Sequence, residues 1–267
     1  MDILKRCRVE PGTKVHLSDY DPTETFGIEK DDASLTKNVE KLARLQELLY
    51  ADHRHALLIV LQALDAGGKD GTIRHVMSGV NPQGCEVTSF KAPTPEEKEH
   101  DFLWRVHKAV PRLGDIGIFN RSHYEDVLIV RVHKMVPKKV WSARYKQINF
   151  FEKMLHANGT TVLKFFLNIS KDEQKRRFEA RLDEPSKNWK FSAPDLQERR
   201  YWDDYMKAFQ AVFRKCSTEW APWYIIPSND KWFRNYAISE IIVRTLEGLP
   251  LKYPKSSVDV SKIKIDD

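Results

Sequence analysis

Five short runs, HALLIVLQAL, CEVTSF, IGIFN, TVLKFFLNI and WYIIPS, alternate along the chain with polar stretches long enough to form helices. Strands that are apolar almost throughout, separated by helices, require a parallel sheet covered on both faces. The helices carry legible start signals. Residues 34–51 space Leu35, Val39, Leu42, Leu45 and Leu49 at helical intervals. Thr94-Pro95-Glu96-Glu97 sets an N-cap, a proline at the first helical position and a capping-box glutamate. Ser170 with Glu173, and Ser192 with Asp195, are similar starts. Residues 1–33 read as a polar, irregular arm lying over the surface, and 182–193, with Pro185, interrupt two helical stretches. A chain of 267 residues with no repeat and no long linker is expected to form one domain with a helical excursion.

Composition narrows the setting. With 41% hydrophobic and 31% charged residues, the chain suits a globular protein in water. No apolar run reaches the roughly 18–20 residues of a membrane span. The opening MDILKRCRVE lacks the apolar segment of a secretory signal. Cys7, Cys85 and Cys216 form no C-x-x-C pair, so neither a disulfide framework nor structural zinc is expected, and the cytoplasm is the expected location. A net charge of +6 points toward an anionic partner. Two basic clusters are candidate rails for a polyanion: Arg131, Lys134, Lys138, Lys139, Arg144 and Lys146, then Lys175, Arg176, Arg177 and Arg181.

In a parallel sheet, ligands bind at the carboxyl ends of the strands. The first strand empties into LDAGGKDGT, which is nearly the loop that cradles nucleotide phosphates. Ala63 stands where the pattern has glycine, Asp70 follows Lys69, and the hydroxyl is displaced to Thr72. Gly67, Gly68 and Gly71 let backbone N–H groups approach phosphate oxygens, with the positive end of a helix starting near Gly71 behind them. Lys69 adds a mobile charge. Asp65, at the strand end, would repel a polyphosphate unless a divalent cation bridged them; Asp70 reads more simply as a turn or cap residue. The third strand ends in Asn120, Arg121 and Ser122, followed by Glu125 and Asp126. Arg121 is placed to neutralise a transferring phosphoryl group. His123 reads as an ordinary packed or exposed histidine, because transfer to a phosphate acceptor needs no base. Trp141, Tyr145, Ile148, Phe151 and Leu155 are expected to pack into the core or a subunit interface.

Four stretches, LDAGGKDGTI, NPQGCEVTSFKAPTPEE, FNRSHYEDVL and RRFEARLDEPSKNWKFSAPD, occur in this order and resemble the successive motifs of the family-2 polyphosphate kinases over about residues 30–250. The resemblance implies an α/β, P-loop kinase-like fold similar to thymidylate kinase. It would be a parallel five-stranded sheet with helices on both faces and a helical lid at about 175–200. It implies phosphoryl transfer from inorganic polyphosphate to nucleotides with Mg²⁺, or Mn²⁺ in its place, without nucleic acid or membrane as partner, in a homo-oligomer. Carried over residue by residue, Asp65, Lys69, Arg121 and Glu125 are the catalytic candidates. Ala66, Gly67, Gly68, Asp70, Gly71, Thr72, Lys91, Asn120, Arg177, Arg181 and Lys190 are the phosphate- and nucleotide-binding candidates. Asp65 and Asp126 are the metal candidates. Asn120 departs from the aspartate of many members and, with Glu125, resembles the class III subgroup, which phosphorylates nucleoside mono- and diphosphates. An ATP-dependent nucleoside monophosphate kinase is the alternative reading. A nucleic-acid-binding role would need stacking aromatics interleaved with the basic patch, whereas Trp141 and Tyr145 are at core-like spacing.

Overall fold

The computed structural model describes residues 2–259 and Ile263. In chain order its elements are α1 (Ile3–Cys7), β1 (Arg8–Val9), α2 (Asp32–Asp52), β2 (Ala56–Gln62), α3 (Lys69–Val76), β3 (Cys85–Ser89), α4 (Pro95–Glu99), α5 (Trp104–His107) and β4 (Ile116–Asn120). There follow α6 (Ile129–Val132), α7 (Lys138–Ala157), β5 (Thr160–Asn168), α8 (Lys171–Asp183), α9 (Ala193–Glu198), α10 (Trp202–Cys216), β6 (Trp223–Pro227) and α11 (Lys231–Glu247). The sheet has six strands in the order β1-β6-β5-β2-β4-β3. Neighbours from β6 to β3 are parallel, in the five expected runs, while β1 pairs antiparallel with β6.

Alternating side chains of the central strands serve two separate cores. Leu57, Ile59 and Leu61 of β2 pack with α2 and α11, burying Leu42, Leu49, Ile238 and Ile242. Leu58 and Val60 face the other way, onto Ile148 and Phe151 of α7 and Phe209 and Phe213 of α10. Hence every residue of β2 is buried, and the strand reads as a continuous apolar run. Tyr145, Ile148, Phe151 and Leu155 are core residues, with Trp141 partly buried against them.

Several expectations change. The sheet has a sixth strand, and the segment before residue 34 is not merely laid over the surface. Ile3 and Cys7 enter one core and Val9, Val15 and Leu17 the other. Helix α3 begins at Lys69 rather than Gly71, two residues closer to the strand. Thr94 and Glu97 form the complete capping box, and Ser170 accepts from the Glu173 amide. Ser192 precedes α9 without a side-chain cap bond.

A polar knot sits inside the α7/α10 core. Lys164 of β5 donates to Glu152 at 2.5 Å, to the Tyr124 hydroxyl at 2.8 Å and to the Cys216 carbonyl at 2.7 Å. Glu152 also accepts from Tyr124 at 2.8 Å and lies 3.2 Å from a ring nitrogen of His123. His123 is thus a packed residue, and the knot ties the segment His123–Val127, beyond β4, to α7 and β5. Removing one partner strands a buried charge, at a cost of about 3–5 kcal/mol. Lys164→Met is therefore expected to lower the unfolding free energy by about that amount in denaturant titration, and an unchanged midpoint would contradict the assignment.

Candidate active site

The carboxyl ends of β2 and β4 lie side by side, with Leu61 opposite Asn120 in the register. This brings the loop after β2 against the residues after β4. The Arg121 guanidinium donates to Asp65 at 2.7 Å, and the Asn120 amide donates to Asp70 at 2.8 Å. Arg121 and Ala66 both hold left-handed backbone, with φ of 62° and 58°. Such conformations in non-glycine residues cost of order 1–3 kcal/mol and persist where surrounding contacts over-determine them. Here the Arg121 amide is tied to the Leu61 carbonyl, and the Ala66 carbonyl accepts from Arg177 at 3.0 Å.

The glycines of the loop have separate reasons. A Cβ on Gly67 would overlap the Cβ of Ala63, so the alanine replacing the usual first glycine makes Gly67 indispensable. Gly68 has φ of 103°, and a Cβ there would overlap Nη1 of Arg234. Lys69 opens α3 and donates to the Ala63 carbonyl at 3.2 Å, curling back over the loop. Burial, and then the neighbouring charge of Arg121, lower its pKa below the ordinary lysine value.

Around this loop opens a cleft of about 640 Å³. Asp65 to Gly71, Asn120, Arg121, Arg177, Arg181 and Lys190 line it, so most of the expected binding residues come together. Lys187, Lys231 and Arg234 add further positive charge, against the carboxylates Asp65, Asp70 and Asp195. A narrower recess branches off on the far side of Asp65 and Arg121, lined by Glu125 with Leu64, Leu128, Trp202 and Phe209. Burial pushes the Glu125 carboxyl above the usual range, although Arg121 and Lys69 pull the other way. For Arg121, burial works against the charge, but Glu125 and Asp65 outweigh it and the pKa rises.

Three expected residues stand apart from the cleft. Thr72 is buried and turns its hydroxyl back to the Gly68 carbonyl at 3.2 Å. Lys91 is exposed beyond the edge strand β3. Asp126 accepts from Arg144 at 2.8 Å. Glu125 and Asp126 diverge because they sit in a tight 3₁₀ turn, where adjacent side chains leave in different directions. Within α8, Arg177 spends its donors on Glu173, the Ala66 carbonyl and the Ser228 carbonyl, while Arg181 reaches Asp195 at 3.3 Å. Of the other basic cluster, Arg131 lies over the Trp141 ring and Arg144 holds Asp126, and neither lines the cleft.

Sequence reading missed Lys231 and Arg234. They lie one turn apart at the start of α11, directly after the last parallel strand, where Asp230 caps the helix. A strand end followed by a capped helix with cations at i and i+3 was the available signal.

The match to known proteins extends over the whole fold. The family model for polyphosphate kinase 2 (PPK2) matches residues 27–253. The AMP/ADP-polyphosphate phosphotransferase of Meiothermus ruber is 52% identical over 267 aligned residues, covering 98% of this chain and 100% of that protein. The ADP-polyphosphate phosphotransferase of Rhodopseudomonas palustris is 51% identical, covering 95% of this chain and 93% of that protein. The crystal structure of polyphosphate kinase 2 from Arthrobacter aurescens TC1 superposes with a TM-score of 0.93 at 47% identity, covering 98% of this chain and 94% of that one. The cleft, with its glycine loop at a parallel strand end, is that of a phosphate-handling α/β protein. The chain belongs to the polyphosphate kinase 2 family.

The raised Glu125 pKa has a stability consequence. A carboxyl whose folded pKa exceeds its unfolded one stabilises the fold below the unfolded pKa, and that contribution is lost as pH rises through the folded pKa. Glu125→Gln should therefore match the wild type in melting temperature at acid pH and gain on it as pH rises above the carboxylate range. A constant difference across pH would contradict the shift.

Proposed function

We propose that this protein transfers a phosphoryl group from inorganic polyphosphate to nucleoside mono- and diphosphates, converting AMP to ADP and ADP to ATP, with Mg²⁺ as cofactor. The observation that carries the reading is the basic cleft on the glycine loop, whose cations outnumber its carboxylates and which opens beside a recess where apolar side chains such as Leu128, Trp202 and Phe209 mix with Glu125, Glu198 and Arg199. A bare phosphate chain suits the first surface. A nucleoside, which needs apolar contact, suits the second.

Transfer of this kind spreads charge over the equatorial oxygens, so positioning and electrostatics do most of the catalysis. The bond between the terminal phosphorus of the chain and its bridging oxygen breaks. A new bond forms to a phosphate oxygen of the acceptor, and the shortened chain keeps the electron pair. The acceptor oxygen is already anionic, so no base is required, consistent with a packed His123. Lys69 and the loop amides hold the donor phosphates, Arg121 neutralises the transferring group, and Asp65 fixes the arginine's fork. Lys190 and Arg181 of the lid close over the chain and exclude water.

For the metal, the donors near the loop are carboxylate and amide oxygens, which suit a hard ion that keeps water and phosphate ligands. Among the described residues no group of three or more His, Cys, Asp or Glu forms a closed metal cage. This fits an ion held by one carboxylate and the substrate, with Asp65 as the protein ligand. When bound, Mg²⁺ supplies charge neutralisation between Asp65 and the phosphates. Asp126, which does not line the cleft, is left out of this assignment. Asn120 helps one site take both acceptors, because a neutral amide repels an added phosphate less than a carboxylate does. Among the described residues no helix is long and apolar enough to cross a membrane.

The donor decides the reading. With AMP and polyphosphate as sole donor, ADP and then ATP should accumulate. Phosphorylation by ATP alone, with none from polyphosphate, would instead mark a nucleoside monophosphate kinase. Arg121→Ala should lower kcat by on the order of 10³–10⁵, and Arg121→Lys should recover only part of it, because lysine lacks the planar fork that meets phosphate. Full recovery in the lysine variant would reduce Arg121 to a point charge.

A further inference from the structure

Arg234 is among the most buried cations of the described residues, at 2% exposure, and among them no carboxylate hydrogen-bonds or ion-pairs with it, Asp230 acting on it only at longer range. Its Nε and Nη2 donate to the side-chain oxygen of Asn235, at 3.2 and 2.9 Å, and among the described residues no acceptor bonds its Nη1. That nitrogen is the one pressed against Gly68, while Nη2 would lie 3.5 Å from a Cβ on Gly71. The guanidinium thus packs on the first turn of α3, where the helix dipole is positive, and Arg177 approaches the same glycine. Burial, with Arg177 adding to it, lowers its pKa to about 10. A buried cation at a helix N-terminus beside a second cation is unfavourable, and Asp230 offsets this only in part, so an anion is needed to complete the arrangement.

We propose that Arg234 is a phosphate-binding residue for the donor, closing the glycine loop from the α11 side, and that Lys231 continues the same track outward. The assignment rests on the phosphoryl transfer proposed above and adds which substrate this wall of the cleft serves. The acceptor's recess lies beyond Asp65 and Arg121 and includes neither Arg234 nor Lys231. The wall they form is basic and meets the amides of the loop rather than the apolar surface. Gly68 on this reading has a second task, since any side chain there would displace the guanidinium from the phosphate position.

The test is calorimetric titration of inorganic tripolyphosphate into the full chain without nucleotide, together with steady-state kinetics. Arg234→Gln should weaken tripolyphosphate binding by about ten- to a hundredfold, the loss of one or two charge-assisted bonds. It should raise the KM for polyphosphate, leave the KM for ADP unchanged, and leave the free protein no less heat-stable than wild type. Wild-type tripolyphosphate affinity in the variant, or an effect on ADP in place of the donor, would overturn the assignment. A purely structural role would appear as a lowered melting temperature with both substrates affected alike. Should the glutamine variant fail to fold, Arg234→Lys carries the same reading. Weaker donor binding than wild type supports the fork contact, and equal binding overturns it. If the wild type binds tripolyphosphate yet transfers nothing to AMP or ADP, the functional reading fails, while the binding comparison still judges Arg234.

Discussion

The contact between Asp65 and Arg121 joins the ends of the two central strands, and the site is arranged around it. Asp65 ends the run that feeds the glycine loop, and Arg121 follows directly on β4. Their ion pair at 2.7 Å fixes the loop against the neighbouring strand. It also marks the divide between the basic cleft and the mixed polar and apolar recess. Each partner is only partly exposed, so their attraction is screened less than that of a surface pair. Behind Arg121, the knot of Glu152, Lys164 and Tyr124 anchors the following turn to the core. The left-handed backbone of Arg121 is thereby held from both sides.

Charge sets the second constraint. Lys69, Arg121 and Arg234 crowd one loop, and burial disfavours the charged form of each. Two of them respond with a lowered pKa, whereas Arg121 is rescued by its carboxylate neighbours. Such a cluster resists assembling on its own and gains from a polyanion. The donor in the proposed reaction is therefore also the counterion that completes the fold at this point. Carboxylates are few in the cleft, and Asp65, Asp70 and Asp195 are engaged by Arg121, Asn120 and Arg181.

The inner parallel strands were legible because burial on both faces leaves a nearly uninterrupted apolar run, as in Ala56–Gln62. The cap at Thr94 was legible because both halves of its box are local. Strand β1 was not, since two residues, Arg8 and Val9, hold no period, and their pairing with Tyr224 and Trp223 depends on residues more than two hundred positions away. In the site, the loop and Arg121 stood out as residues directly following strands. Asp126 illustrates the limit: sequence adjacency to Glu125 suggested a shared role, yet the 3₁₀ turn sends one to the recess and the other to Arg144. Arg234 belonged to no recognisable phosphate motif. Its burial arises from the packing of α11 against α3, which no local pattern encodes.

A polyphosphate-driven nucleotide kinase must deliver the phosphoryl group to a nucleotide and not to water. The direct measurement is phosphorus NMR of polyphosphate, Mg²⁺ and AMP with the protein, following the partition of transferred phosphorus over time. Signals of ADP and ATP should grow in step with the shortening of the chain, with orthophosphate nearly absent. Orthophosphate as the main product, independent of AMP, would contradict the account and make the cleft that of a hydrolase.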